Sequence, residues 1–562
     1  MIDARKFVRR SLFPLVTAAL LAATTMVSAQ TRPVVGGTHG MVASNHPQAS
    51  FAGIEMLMQG GNAVDAAIAT AAALGVVEPY LSGLGGDGFM LIYDAETEEI
   101  NFLNFNARSP GQLSVENFAE QLERNDGRID RRGPLNSLIP GAAAGWAAAQ
   151  ERYGTLDAAT LLEPSIRMAR NGYPATAFAV GQHSNAMSIF LDWDEAGANA
   201  WWDGEVRPPQ VGDLIYNTRL ADTYEIMAEN GFMSFYDSSI TEEIVRFNNL
   251  HGGVFTLEDF QGLEATWHEP LTTNYRGYDI YTPRPNSSGG LAIPQILNVL
   301  EGYDLVAMGE NSAEYIHVMA EAIKLAAADR TEWSGDPEFM ENEIPYDVLL
   351  SKEYADERRA LIDLEQASGE FPAGVEQPGT SHITVVDSAG NMVAMTVTLG
   401  SGWGSGFIAG ETGVVLNDAI NWFEFDETSP AYIEPGKRTR WNMSPTIIVR
   451  DGEPFAALGT PGGTGIWQTL PQVITKLIDF ELDIQSAIES PRFVWTLSTT
   501  TIRPEARMAD AFEQLEAWGH TVNPHPEWTS SVGGVNGIVV NRETGVLLGG
   551  ADPRRDGYVI GW

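Results

Sequence analysis

Gly379-Thr380-Ser381-His382-Ile383-Thr384-Val385-Val386-Asp387 is the stretch on which the reading of this 562-residue chain turns. From Ser381 to Asp387 it is a short β-branched run with alternating character, which predicts a strand. Asp387-Ser388-Ala389-Gly390-Asn391 supplies turn chemistry, and Met392 to Leu399 resumes as a second strand, so the two predict a hairpin. With Ala389 at the centre of the turn, Thr380 and Thr398 lie nine residues to either side and face each other. Their Cβ atoms are then about 4.5–5.5 Å apart. A one-residue slip in register would separate them.

Two facing hydroxyls at the open end of a hairpin admit two readings. One is a cross-strand Thr–Thr pair, common in sheets. The other is an N-terminal nucleophile: a cut before Thr380 frees an α-amine that serves as base for its own hydroxyl. An α-amine with an ordinary pKa of about 7.7–8.0 suits proton transfer near neutral pH. Thr380 follows a glycine, and Thr398 precedes the loop Gly400-Ser401-Gly402-Trp403-Gly404-Ser405-Gly406.

Working outward, the first 29 residues read as a signal peptide. Arg5, Lys6, Arg9 and Arg10 form a basic start, Leu12 to Val27 is apolar, and Val27-Ser28-Ala29 fits a small-residue cleavage site. The adjacent arginines leave a twin-arginine route open. No later stretch approaches the roughly 20 apolar residues of a membrane span, so the expected product is periplasmic or secreted. Removing four basic residues and one acidic residue with that segment moves the net charge from −40 to −43. Such a charge excludes nucleic acid and anionic lipid as partners. Only five lysines occur (Lys6, Lys324, Lys352, Lys437, Lys476), and an acidic, lysine-poor surface points to a salty habitat. With no cysteine, disulfides, thiol catalysis and thiolate metal sites are excluded.

In chain order, Val34 to Ser44 predicts a strand and turn, and Gln48 to Gln59 a helix stopped by Gly60-Gly61. Asn62 caps an Ala-rich helix running to about Val76, expected to be central. Ser82-Gly83-Leu84-Gly85-Gly86-Asp87-Gly88 leads into the strand Phe89 to Tyr93; its spacing does not fit a phosphate cradle, and a turn allowing close backbone approach is the alternative. Asn101 to Phe105 predicts another strand, and from Ala142 to about Gly309 the pattern is of helices alternating with polar loops. Ser312 to Asp329 reads as an amphipathic helix, and residues 351–379 as an exposed segment leading to the cut. Strands are expected at Gly413 to Leu416, Ser444 to Arg450 and Phe455 to Leu458, then a helix from about Gly465 to Ile478. Gly462 and Gly463, at that helix's start, either donate N–H groups to an oxyanion or simply begin the helix. The nine histidines show no ligand spacing, and His382 reads as a strand residue rather than a base.

Seven motifs in order resemble the gamma-glutamyltranspeptidase family over nearly the whole mature chain. They are Gly60-Gly61-Asn62-Ala63-Val64-Asp65-Ala66, Gly83-Leu84-Gly85-Gly86-Asp87-Gly88-Phe89, Asn286-Ser287-Ser288-Gly289-Gly290, Thr380-Ser381-His382, Asn442-Met443-Ser444-Pro445-Thr446, Gly459-Thr460-Pro461-Gly462-Gly463 and Asp552-Pro553-Arg554. The resemblance implies an α+β fold, a four-layer αββα sandwich of the N-terminal-nucleophile hydrolase type. It implies autocleavage between Gly379 and Thr380, giving a large subunit (30–379) and a small one (380–562) intertwined in one domain as a heterodimer. It casts Thr380 as nucleophile, Thr398 as its hydroxyl partner, and Gly462 and Gly463 as the oxyanion hole, with no metal or organic cofactor.

On the substrate side this chain departs from the family. Asn106 stands where the family has an arginine for the γ-glutamyl carboxylate, and Trp441-Asn442 replace paired serines. The family's amine-binding residues fall on Gly400, Ala419 and Trp422, with Arg108, Arg440 and Asp418 as substitutes to be placed. Each lost charge-assisted contact is worth about 1.5–3 kcal/mol. The segment Phe423 to Lys437 is short for a lid, which implies an open cleft. The implied activity is transfer of a γ-glutamyl group, as from glutathione, to water or an amine. The alternatives are an acylase acting on another small N-acyl amide, resembling the family's cephalosporin acylases, and a non-catalytic exported binding protein.

Overall fold

The computed structural model describes residues 31–191, 209–369, 379–497 and 499–562. The expected signal peptide and the Gly/Pro-rich part of the segment before the cut lie outside the described residues. Two seven-stranded sheets lie face to face between helical layers, so the chain is α+β in four layers.

The strands, in chain order, are β1 (Val35–Gly37), β2 (Met41–Ser44), β3 (Asp87–Asp94), β4 (Glu99–Phe105), β5 (Thr266–His268), β6 (Leu271–Tyr275) and β7 (Tyr278–Thr282). There follow β8 (Gly379–Val386), β9 (Met392–Gly400), β10 (Thr446–Arg450), β11 (Glu453–Gly459), β12 (Asn536–Val540), β13 (Leu547–Ala551) and β14 (Tyr558–Gly561). One sheet has the order β1-β13-β12-β11-β10-β7-β6 and the other β14-β2-β8-β9-β3-β4-β5. The predicted hairpin, β8 and β9, is thus central in the second sheet, and Thr380 pairs with Thr398 as the turn arithmetic requires.

Alternation along these strands sorts the cores. Ile383, Val385, Val393, Met395, Met90 and Ile92 point to a helical layer that includes α1 (Pro47–Met58) and α2 (Ala63–Val77). Val386, Met392, Ala394, Phe89 and Leu91 point the other way, meeting Ile447, Val449, Ala457 and Ile538 of the opposite sheet. The far face of that sheet is covered by α3 (Ser288–Leu300), α4 (Ala313–Trp333) and α5 (Ile466–Ile478). Asn62 caps α2 as expected, accepting from the N–H groups of Val64 and Asp65, and every residue of α2 is buried. Alanine on all sides lets a helix lie this close to its neighbours.

Four expectations need correction. Residues 142–309 are not only helices and loops, since β5, β6 and β7 cross them. Gly413 to Leu416 is no strand: Val415 makes only an isolated bridge to Ile408. The helix from Ser312 is buried on nearly every face as far as Ala327, because it runs between the sheet layer and residues 352–368 instead of over the surface. Residues 351–369 are not simply exposed, for Lys352–Arg359 is helical and the Lys324 ammonium donates to the Ser368 carbonyl (3.0 Å).

Candidate active site

The inter-sheet face of the second sheet carries a polar row at one end. Thr380 opposes Thr398, Thr398 opposes Asp87, and one step past the Gly88–Phe105 pair Asn106 comes opposite Asp87. All four are buried. A row of polar side chains between two sheets costs free energy unless each atom finds a partner.

The hydrogen-bond directions in the hairpin follow from valence. The Gly400 N–H donates to Thr398 Oγ1 (2.8 Å), and Thr398 Oγ1 has one proton, which it gives to the Gly379 carbonyl. Its contact with Thr380 Oγ1 (3.1 Å) must therefore be accepted, so Thr380 is the donor. The Thr380 hydroxyl thus points its proton at Thr398, which polarises the carbonyl just before Thr380. Gly379 is required here, because a Cβ would stand 2.3 Å from the Ser401 carbonyl carbon.

Gly462 and Gly463 sit beyond the end of β11, with φ of 141° and 57°. Neither N–H has a partner among the described residues. The neighbouring turn is fixed from within: the Thr460 hydroxyl donates to the Pro461 carbonyl (2.7 Å) and accepts from the Gly534 N–H (2.9 Å). His382 is a strand residue, as expected; its ring contacts Thr396 (2.8 Å) and Thr384 (3.1 Å), and burial holds its pKa down at about 3.

The glycine loop before β3 proves to be a close-approach device. A Cβ on Gly85 would stand 2.1 Å from the Val415 carbonyl oxygen, and one on Gly86 2.1 Å from that of Thr398. Asp87, which the sequence singled out only as part of this loop, is the informative residue. Its Oδ2 accepts from the Ala107 N–H (3.0 Å) and the Trp441 indole N–H (2.9 Å), while Oδ1 is buried without a partner. Burial pushes its pKa up to about 7. Both amide atoms of Asn106 are likewise buried and unpartnered.

The other expected substrate residues divide. Gly400, Asp418, Trp422 and Trp441 come together: Trp422 packs on Trp441 (ring centroids 4.6 Å), and a Cβ on Gly400 would collide with Asp418 Oδ1 and the Trp422 ring. Asp418 is held by the Ser401 N–H (2.7 Å) and by Asn421 (3.0 Å), and burial raises its pKa. Arg108 is engaged elsewhere, pairing with Glu338 (3.0 Å) and the Gly436 carbonyl (2.9 Å), and is no substitute cation for the row. Asn442 accepts from Arg330 (2.6 Å) and Ser288 (3.1 Å). Arg440 pairs with Glu424 (2.9 Å).

Behind the strand, Ser381 donates to the wholly buried Glu78 (2.7 Å), whose pKa burial raises to about 8, and Arg555 donates to the Thr380 carbonyl (3.4 Å). Sequence reasoning passed over Glu78, which stands alone at the end of an apolar helix; that isolation was the only local signal. Three residues far from the row, His317, Glu321 and His520, also converge, although no histidine spacing suggested it. His317 and His520 share a hydrogen bond (2.8 Å) and Glu321 pairs with the Lys324 ammonium (2.6 Å), while His520 Nδ1 is buried with no partner among the described residues.

The sequence matches the family model described as Gamma-glutamyltranspeptidase over residues 49–562. The Glutathione hydrolase proenzyme of Escherichia coli is 35% identical over 538 residues, covering 92% of this chain and 91% of its own. The Acylase ACY 1 proenzyme of a Pseudomonas species (strain V22) is 35% identical over 534 residues, covering 93% and 94%. Among solved structures, a cephalosporin acylase from Bacillus halodurans superposes with a TM-score of 0.86 at 31% identity, over 100% of this chain and 99% of that one.

Proposed function

The chain belongs to the gamma-glutamyltranspeptidase family, and from that premise we propose that it is a self-cleaving amide hydrolase and acyltransferase whose nucleophile is Thr380. The observation that carries this reading is the directed hydroxyl chain from Thr380 through Thr398 to the Gly379 carbonyl. In self-cleavage Thr380 Oγ1 attacks the Gly379 carbonyl carbon. Its proton passes to Thr398, and the Thr398 proton goes to the developing oxyanion. Collapse breaks the Gly379–Thr380 C–N bond, the nitrogen takes up the proton, and an ester is left for water to hydrolyse. The products are a large subunit ending at Gly379 and a small one beginning at Thr380.

In the cut enzyme the Thr380 α-amine takes the hydroxyl proton as Oγ1 attacks the substrate amide. The N–H groups of Gly462 and Gly463 receive the tetrahedral oxyanion, a contribution worth about 2.7–4 kcal/mol per donor in comparable sites. The leaving amine departs with the proton, and water or a second amine resolves the acyl-enzyme. The relatives named glutathione hydrolase favour γ-glutamyl amides as donors. A second reading, an acylase for other small N-acyl amides, is favoured by the Trp422–Trp441 stack, which gives the pocket an apolar wall. The leader expected at residues 1–29 would send the protein out of the cytoplasm, and among the described residues no helix is long and apolar enough to cross a membrane.

Assaying the cut protein with γ-glutamyl p-nitroanilide beside a neutral N-acyl p-nitroanilide tests this. Release of nitroaniline from either, lost in Thr398→Val, is expected. A folded, cut protein that hydrolyses neither, over a panel of small acyl anilides, would contradict it.

A further inference from the structure

His317 and Glu321 are four residues apart on α4, so one face of that helix presents both. His520 meets them from the turn that follows the helix Phe512–Ala517. All three are buried, and one ligand atom from each lies within 4.8 Å of the other two.

The placing of protons in this cluster is the informative point. His317 Nε2 meets the Asp363 carbonyl (2.8 Å), which can only accept, so Nε2 carries the proton and Nδ1 is a lone pair. That lone pair faces His520 Nε2 at 2.8 Å. With the His520 proton on Nε2, its Nδ1 is a bare acceptor inside the protein. The Thr500 carbonyl favours a proton on His520, although it stands short of hydrogen-bond geometry. With the proton drawn to Nδ1, two lone pairs oppose each other. Neither arrangement satisfies the pair. Nor does a second proton, since burial, with the Lys324 charge behind it, pushes the His520 pKa down to about 3.

An ion that takes both lone pairs satisfies them together. Each ring then turns its remaining N–H toward a backbone carbonyl, as metal-bound imidazoles commonly do. Glu321 can supply a third ligand. It accepts from the Lys324 ammonium (2.6 Å), from the Ser368 hydroxyl and from the Ser368 N–H (3.3 Å). Three donors on a carboxylate with about four acceptor sites leave one site for a metal. The Lys324 ammonium opposes a cation, but burial already lowers its pKa, so metal binding is expected to expel its proton.

We propose that His317 Nδ1, His520 Nε2 and the Glu321 carboxylate form a structural site for a divalent ion of the zinc class, clamping the tail of the large subunit to the small one. Two imidazoles and a carboxylate suit zinc, and no thiolate is needed. At zinc–nitrogen distances of about 2.0–2.1 Å, the ligand atoms of a tetrahedral site stand about 3.3 Å apart. The rings therefore part by about half an ångström, and Glu321 turns in to meet the ion. Through the Asp363 carbonyl and Ser368 the clamp reaches residues 363–368, which precede the proposed cut, and His520 lies after it. The Ala367 N–H already donates to the Trp518 carbonyl (2.7 Å) across the same junction. The bridging of two subunits rests on the proposed cut; the metal site does not, because an uncut chain presents the same three ligands.

The test uses the full purified protein, dialysed against a chelator and equilibrated overnight with Zn2+ or Co2+. After gel filtration the wild type is expected to retain about one zinc per chain by elemental analysis. Its Tm rises by a few degrees with zinc, and cobalt gives the intense visible bands of a tetrahedral site. His520→Gln loses all three responses. Surface carboxylates also attract cations, so the difference between wild type and variant is the quantity read. Circular dichroism shows whether the variant folds; if it does not, the wild-type cobalt spectrum decides. A wild type that retains no zinc, a cobalt spectrum that is only octahedral, or equal retention by folded His520→Gln overturns the site. Anilide hydrolysis is read separately: an inactive protein that binds zinc contradicts the proposed function alone, and an active one that binds none contradicts the site alone.

Discussion

Two buried polar regions of this molecule are opposites. Near the C-terminus Arg492, Arg554, Glu505 and Asp552 form a closed network. Asp552 meets Arg492 (2.5 Å) and Arg554 (3.0 Å), and Glu505 meets Arg554 (2.7 Å) and Arg507 (2.7 Å). Although burial works against the charge, the two arginines hold the Asp552 carboxyl below its ordinary range. In the row Thr380–Thr398–Asp87–Asn106 the far half is bare, and Asp87 is pushed up to about 7 by burial. In the first region each buried charge is matched within the protein; in the second, Asp87 Oδ1 and the Asn106 amide have no partner among the described residues. The Asp552-Pro553-Arg554 motif belongs to the first kind and Gly86-Asp87-Gly88 to the second, a distinction sequence alone does not draw.

The largest effect is expected from breaking the closed network. Asp552→Asn leaves Arg492 buried without its carboxylate partner, while Arg554 keeps Glu505 (2.7 Å), and denaturant unfolding should show a loss of about 3–5 kcal/mol. An effect under about 1 kcal/mol would mean that water reaches these arginines.

Next comes the hydroxyl chain. Thr398→Val keeps the shape but strips the Gly379 carbonyl and the Gly400 N–H of their partner. Stability should fall by about 1–3 kcal/mol, and self-cleavage, followed as appearance of two chains on a gel, should slow by roughly a hundredfold, in line with loss of one proton-transfer group. Unchanged cleavage would remove Thr398 from the relay.

The two carboxyls should also respond to pH in opposite senses. Asp552, with its folded pKa below the unfolded value, contributes stability above that value and loses it as pH falls. Asp87, with its folded pKa raised, retains a proton that the unfolded chain has lost between about 3.9 and 7, so it opposes folding more as pH rises through that window. Measured in uncut protein, the stability of Asp87→Asn relative to its parent should rise from pH 4 to pH 7 and then level. A flat difference would place Asp87 in contact with water.

The smallest effect is predicted for Asn106→Leu. Its side-chain amide bonds to nothing among the described residues, so a side chain of similar volume should be neutral or stabilising by about 1 kcal/mol. Clear destabilisation would show that the bare amide has a structural partner after all.

The nucleophile end was legible because a hairpin is local: one turn fixes the register, and register fixes which hydroxyls meet. The glycines of residues 83–88 were legible as a close approach, though not what they approach, since Val415 and Thr398 lie more than 300 residues away. Asp87 was missed because its partners, Ala107 and Trp441, come from two distant segments and the meaning lies in an atom without a partner. Strands β5 to β7 escaped notice because they are three to five residues long amid helices. Val414-Val415 misled in the other direction, having strand composition but no neighbouring strand to pair along its length. Arg108 could not be placed from sequence because a cation's nearest carboxylate, here Glu338, is set by folding and not by sequence distance.

The account stands or falls on Thr380, and the most direct measurement is the intact mass of the purified protein beside Thr380→Ala. Two chains that separate between Gly379 and Thr380 in the native sample, with the variant uncut, are the predicted result. A single uncut chain in both, under conditions where the protein is folded, would remove the free α-amine and contradict the enzyme reading.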